Sequence, residues 1–342
     1  MRVNAEECLS SGDNLHLQSG VPSVLKKGRN CADAPLFSIV IPVYRRLETL
    51  KESVEAALGQ DTACVYDIIV VEDNPESGTP VEDYLMSLDT DNLKYYKNSG
   101  NLGLVGNFNR ILTLADGEYV VVVHDDDILS SFYLKEMERL VRIRPDADII
   151  MPEALKWRED KGEPKPSFNY SSAKARLWKP CTEGEAFERT FQPTGVTIKR
   201  SSIPLTGGFD YQSGPSTDLY FIVRAGRAGV RYYKYDKPLF IYRWLENESL
   251  KLQTRLDFIS AGIPLRRCIL DVMKLPGFIA DAMLRHYCDV AVGRLREDFP
   301  EINPSFDGLV LSRNRFSARF AFTVNALFRK CLLLRRLFAP KV

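Results

Sequence analysis

From Leu36 onward the chain alternates between compact apolar runs and stretches in which apolar residues recur every three or four positions. The runs FSIVIPVY (37 to 44), YDIIVVEDN (66 to 74), LKYYKN (93 to 98), the valine run from 118 and ADIIMPEAL (147 to 155) predict strands. Between them the spacing predicts helices through Leu47, Leu50, Val54, Ala57 and Leu58, over 81–88, over 106–115, and over 131–143, where Pro145 stops the run. Strand and helix in alternation imply an α/β protein with a doubly wound, mainly parallel sheet. Beyond Trp157 the pattern weakens through a polar, proline-bearing stretch expected to be a loop over the sheet's crevice. A segment at 195–200, a helix over 217–229 and strand-like VRYYKY and PLFIYRW then suggest a mixed second half on the same sheet.

The domain organisation read from this pattern has three parts. Residues 1–35 lack sustained periodicity and form a loosely ordered extension. Residues 36–250 form the α/β domain. Residues 251–342 are helical and end in a basic amphipathic segment.

The strands end in acids. EYVVVVHDDDIL (118 to 129) passes from four valines, which suit a strand buried on both faces, into Asp125, Asp126 and Asp127, and the second strand ends at Glu72 and Asp73. In open parallel sheets the crevice beyond the strands' carboxyl ends is where ligands bind. Adjacent carboxylates repel, so a divalent cation, Mn2+ or Mg2+, shared with a phosphorylated ligand would relieve them. A carboxylate also suits a base N–H or a ribose hydroxyl, so a nucleotide fits both groups. A solvated turn with ordinary helix caps is the alternative for the triple acid, and a cap or turn role is the preferred reading for Glu72. Neither a P-loop nor a G-x-G-x-x-G follows the first strand.

Composition bounds the picture further. With 45% hydrophobic and 27% charged residues in 342, the chain has material for a sizeable core. Its seven scattered cysteines contain no C-x-x-C pair, which points to a reducing, cytoplasmic setting rather than a disulfide framework or zinc site. Net charge is +1, yet no acid follows Asp307, while Arg313, Arg315, Arg319, Arg329, Lys330, Arg335, Arg336 and Lys341 do. Interleaved with them, Phe316, Phe320, Val324, Leu327, Cys331, Leu334 and Phe338 mark one side of a helix. That segment (313–341) resembles an interfacial helix on an anionic membrane, at the inner face of the cell membrane; alternatively its apolar lane packs on the main domain. No nucleic-acid reader motif accompanies it.

The order of motifs resembles family 2 glycosyltransferases of the GT-A fold: SIVIPVYRR, IIVVEDNPESG, NLGLVGNFNRILTLADGEYVVVVHDDDIL and GGFDYQSGPSTDLYFIVRAGRAG, spanning 37 to about 250. The resemblance implies metal-dependent, inverting transfer of a sugar from a nucleotide diphosphate sugar, a uridine nucleotide by preference, to a glycan or lipid-linked acceptor, as in cell-surface polysaccharide synthesis. By position, Pro42, Tyr44 and Asp73 would surround the base, Asp126 would be the main metal ligand, and Asp125 and Asp127 would contact ribose, the metal or its waters. Asp218 would be the general base; a helix-dipole role is its structural alternative. Three positions depart from the family pattern: His124 stands for the first Asp of D-x-D, Thr217 for a Glu beside the base, and Leu245 for a His. Arg243 and Tyr242 would approach the diphosphate or simply close a strand, and Asn107 and Asn109 would polarise the donor or, the preferred reading, satisfy backbone at a helix start. A sugar-phosphate nucleotidyltransferase and a catalytically silent nucleotide-binding protein are the rival functions.

Overall fold

A computed structural model of the protein describes residues 9–10, 12–29, 34–169, 174–180, 182–188, 191–245, 251–306 and 308–342. Its centre is a mixed sheet of β1 (Ser23–Lys27), β2 (Phe37–Val43), β3 (Tyr66–Glu72), β4 (Leu93–Asn98), β5 (Tyr119–Val122), β6 (Ile128–Leu129), β7 (Ile149–Arg158), β8 (Leu177–Trp178), β9 (Val196–Lys199) and β10 (Tyr232–Trp244). The strands lie in the order β1-β4-β3-β2-β5-β9-β7-β10-β6, with β8 pairing β10. Strands β4, β3, β2 and β5 run parallel, as do β7 and β10, and β9 enters antiparallel between the two parallel groups.

The apolar strands divide their side chains by the period of two. Val40, Ile69, Val71, Val120 and Val122 enter one core, and Ile39, Ile41, Ile68, Val70, Val121 and Val123 enter the other. The second core is covered by α1 (Leu47–Leu58), α2 (Pro80–Ser87) and α4 (Tyr133–Ile143). The first is covered by α3 (Gly103–Leu114) and, later in the chain, by α5 (Thr182–Glu188), α6 (Ile203–Thr206) and α7 (Thr217–Arg227). Helices α8 (Leu252–Val272) and α9 (Gly277–Asp298) extend that same core, and α10 (Arg315–Leu337) packs beside α9. Both faces are therefore wound, as the alternating pattern implies.

Three details depart from the sequence pattern. The region before Leu36 is not uniformly loose: β1 pairs antiparallel with β4, Asn14 donates to Gly207 O, and Arg110 holds the carbonyls of Gln18 and Val21. This edge strand shows no apolar alternation because its hold on the sheet is main-chain pairing, with its middle residues exposed. Second, VRYYKY and PLFIYRW are one strand, interrupted by a bulge on either side of Pro238, which has no N–H to offer a ladder. Third, α10 turns a different face inward. Ala321 and Asn325 are buried, Phe328 meets Phe187, and Leu332 lies against Gly184, whereas Phe316, Phe320, Leu327, Leu334 and Phe338 are exposed. The lane marked by spacing thus faces outward, because contact with α5 selects a strip on the far side of the helix.

Buried polar groups fasten the sheet below the site. Glu72 accepts from Thr79 Oγ1 at 2.7 Å, from Lys97 Nζ at 2.9 Å and from the Tyr95 hydroxyl. Removing one partner of such a buried pair leaves the other charge uncompensated. Lys97→Met is expected to destabilise the protein by about 3–5 kcal/mol, seen as a lower urea midpoint, and Glu72→Gln added to it restores part of the loss. A single variant within 1 kcal/mol of wild type (roughly the worth of an exposed ion pair) would show that this pair is not structural.

Candidate active site

Strands β3, β2 and β5 are adjacent and parallel, so their carboxyl ends open onto one edge. Pro42 is paired with Val71 near the end of that ladder, and the Asp73 N–H donates to Val43 O. Asp73 is buried, and its Oδ1 accepts from Asn98 Nδ2 at 2.9 Å and from the Leu102 N–H at 2.8 Å. Burial raises its carboxyl above the usual range. Tyr44, just past the end of β2, is exposed, with the Arg45 guanidinium 5.0 Å from its ring centroid. Arg45 itself is left-handed (φ 63°), an uncommon conformation for a residue with a side chain, and it turns the chain out of β2.

The triple acid forms the tight connection between β5 and β6, closed by the Asp127 N–H on His124 O. Asp127 is fixed from two sides: its Oδ1 accepts from the Arg243 N–H at 3.0 Å, and its carbonyl accepts from Ser53 Oγ at 2.7 Å. Arg46 Nη1 lies 2.7 Å from Asp126 Oδ2 and 3.8 Å from Asp125 Oδ1. Burial, then the neighbouring Asp126 charge, pushes the Asp125 carboxyl up to about 7, and the same two causes hold Asp127 well above the usual range. One cation thus serves several crowded acids.

Ligand atoms of His124, Asp126 and Asp127 lie within 4.8 Å of one another. Asp127 Oδ2 and His124 Nε2 are both buried without a hydrogen-bond partner, and burial lowers the imidazole's pKa and so favours its neutral form. Unsatisfied buried acceptors are costly, and a neutral imidazole with two carboxylates is a workable donor set for Mn2+. The residues fit a divalent cation. His124, set down as a departure from the family pattern, joins the group.

Asp218 opens α7, with its Oδ1 accepting from the Leu219 N–H at 2.8 Å. Tyr242 joins it to the acids. Burial chiefly, and then the charges of Asp127, Asp126 and Asp218, oppose ionisation of the Tyr242 hydroxyl, so one phenol feels both the strand-end cluster and the later motif. A cavity of about 770 Å3 has Asp218, Tyr242 and Trp244 on one side and Phe258, Tyr287 and Arg329 among its other lining residues.

Other singled-out residues are structural. Asn107 bridges Asn98 and Val71 O, and Asn109 clamps the carbonyls of Asn14 and Phe209. The Arg243 side chain is buried, within ion-pair distance of Glu52 and Glu159 and 4.4 Å from the Trp157 ring centroid, while its N–H aims Asp127. It does not merely close a surface strand. Thr217 is buried with its hydroxyl on Asp210 O. Sequence reasoning overlooked Arg46; the paired arginines directly after the first strand were its signal.

A doubly wound sheet with carboxylates gathered at the ends of adjacent strands, together with a second acid on a later helix, has the architecture of GT-A nucleotide-sugar enzymes. Residues 38–197, a little under half of the chain, match the glycosyl transferase family 2 model, and that segment is a family 2 glycosyltransferase domain. It is 27% identical over 195 residues to the glycosyltransferase YwdF of Bacillus subtilis, covering 56% of this chain and 68% of the relative. It is 33% identical over 98 residues to a GalNAc(5)-diNAcBac-PP-undecaprenol beta-1,3-glucosyltransferase of Campylobacter jejuni, covering 28% and 31%. The chain therefore spans from 31% to 68% of the length of these relatives. In fold it is similar to S. aureus TarS in complex with UDP-GlcNAc, at 17% identity and TM-score 0.55 over 86% of this chain and 81% of TarS. It is also similar to the mannosyltransferase PcManGT from Pyrobaculum calidifontis, at 14% identity and TM-score 0.51 over 97% and 89%.

The raised Asp125 carboxyl has a signature in stability. The folded protein keeps this proton to about pH 7, whereas the unfolded chain releases it near pH ~4. Across that window the unfolded state binds fewer protons, so the group's contribution to stability falls as pH rises. In metal-free buffer, Asp125→Asn is expected to gain stability over wild type between pH 5 and pH 8, by about 2–4 kcal/mol. Equal thermal midpoint differences at both pH values would contradict the buried, charge-opposed carboxyl.

Proposed function

We propose that this protein is a metal-dependent inverting glycosyltransferase that moves a sugar from a nucleotide diphosphate sugar, with UDP as the nucleotide, to an acceptor hydroxyl of a glycan or lipid-linked glycan. The observation that carries the reading is the gathering of His124, Asp126 and Asp127 at the strand ends, beside Tyr242, whose neighbour Arg243 fixes Asp127 and which lines one cavity with Asp218; this supports one site with a cation end and a base end. Residues 36–250 supply the donor site, and 251–342 supply the outer wall on the acceptor side. The name of the Campylobacter relative, which carries an undecaprenol-linked glycan, supports a lipid-linked acceptor.

Each residue's role rests on its position. Pro42 and Tyr44 flank the nucleotide base, and Asp73, held by Asn98 and the Leu102 N–H, accepts from a base N–H. Asp125 faces the ribose. His124, Asp126 and Asp127 hold the cation. When bound, Mn2+ or Mg2+ would supply positive charge to the departing diphosphate. Arg46 neutralises Asp126, whose carboxylate would also serve the cation. Asp218 accepts the proton of the acceptor hydroxyl as that oxygen attacks the anomeric carbon from the face opposite the leaving diphosphate, which inverts the configuration.

Titration of UDP into the protein with and without Mn2+ is the first test, with GDP as comparison. Asp126→Asn is expected to abolish the metal-dependent part of UDP binding. Asp218→Asn is expected to keep that binding and lose transfer by about 10²–10⁴-fold, the usual worth of a general base. Unchanged turnover in Asp218→Asn would remove the base assignment. UDP binding without hydrolysis or transfer of any UDP-sugar would leave a silent binding protein.

A further inference from the structure

Helix α10 buries Ala321 and Asn325 and packs Phe328 and Leu332 against the rest of the protein, with Arg329 and Arg336 paired to Glu188 and Asp236 and Phe322 edge-on to His286, and it bears an unusual amount of exposed apolar surface elsewhere. Phe316 is 80% exposed and Phe338 86%, and Phe320, Leu327 and Leu334 lie between them on the same lane. At about 100° per residue that lane lies roughly opposite the packed strip, and Arg315, Arg319 and Lys330 border it on one side. Phe278, exposed at the start of α9, shares a hollow with Phe316 and Phe320, so the apolar surface continues past the helix end.

The charge pattern selects the partner that covers this surface. From 308 to 342 the chain has eight cations and no acid. A second copy docking through the same face would bring two such cationic helices together, which like-charge repulsion opposes. An anionic bilayer accepts both features, with rings and leucines in the acyl boundary and cations among the headgroups. The surface lies on the membrane without spanning it, since no helix among the described residues is long and apolar enough to cross.

We propose that α10, together with Phe278, is a docking surface for anionic membranes. Asn325 and Arg329 of the same helix also line the cavity that holds Asp218 and Tyr242. Docking therefore leaves that cavity a helix diameter (~10 Å) from the apolar lane, within reach of the sugar of a lipid-linked acceptor; this consequence rests on the transfer reading, while the docking does not.

The test is flotation of the full chain with vesicles of phosphatidylcholine alone or mixed with phosphatidylglycerol. Expected are flotation with the mixed vesicles only, weakening as salt rises, and a loss of about tenfold or more both in Phe316→Ser/Phe320→Ser/Phe338→Ser and in Arg315→Glu/Arg319→Glu/Lys330→Glu. Metal-dependent UDP binding, measured on each variant, reports an intact fold. Absence of wild-type flotation, equal flotation with both vesicle types, or a wild-type dimer that the phenylalanine variant makes monomeric would each overturn the proposal. Flotation as expected in a protein that binds no nucleotide would count against the transfer reading and leave the docking surface standing.

Discussion

Parallel registration of β3, β2 and β5 is the constraint on which the rest of the site depends. Each strand is apolar on both faces, so each can sit only in the middle of the sheet with a helix layer above and below. Once the three are aligned in the same direction, the segments leaving their carboxyl ends must share one edge. Those segments carry Tyr44 to Arg46, Asp73 and the His124–Asp127 turn. Acids roughly 50 residues apart in the chain come to share one edge, on strands separated only by β2, through main-chain hydrogen bonding.

Gathering carboxylates in a partly buried edge has an electrostatic cost, and the structure meets it locally. Arg46 lies on Asp126, the Arg243 N–H fixes Asp127, and Asn98 with the Leu102 N–H fixes Asp73. The compensation is incomplete, as the raised carboxyls of Asp125 and Asp127 indicate, with Asp127 Oδ2 buried without a hydrogen bond, 3.6 Å from His124 Nδ1. Below the edge, by contrast, Glu72 is fully engaged by Thr79, Tyr95 and Lys97. Two successive residues, Glu72 and Asp73, thus divide between structure and site according to how many donors surround them.

The C-terminal helices enclose a cavity on the Asp218 side of the sheet. Helices α8 and α9 continue the core beneath α7, while α10 contributes Asn325 and Arg329 to the wall of the cavity that holds Asp218. The same helix leaves its aromatic lane outward. One element thus joins the wall of the Asp218 cavity to the outer surface of the molecule.

Much of this was legible in the chain. The runs of apolar residues marked which segments are central strands, because a strand covered on both faces leaves few other readings, and the acids that end them marked the site's edge before any contact was known. Helix spacing located α1, α4 and α7 to within a few residues. Elements held mainly by backbone pairing, such as β1 and the two-residue β6, left no such pattern, since main-chain hydrogen bonds carry no residue signature. The sequence alone therefore determined the sheet's centre, the family and the cluster of candidate acids. Only tertiary structure decided which acids are satisfied, that His124 joins Asp126 and Asp127, that Arg46 lies on Asp126, and which face of α10 turns outward. Those outcomes depend on contacts between segments far apart in the chain, and side-chain periodicity reports a residue's own helix or strand, not the partner that will meet it.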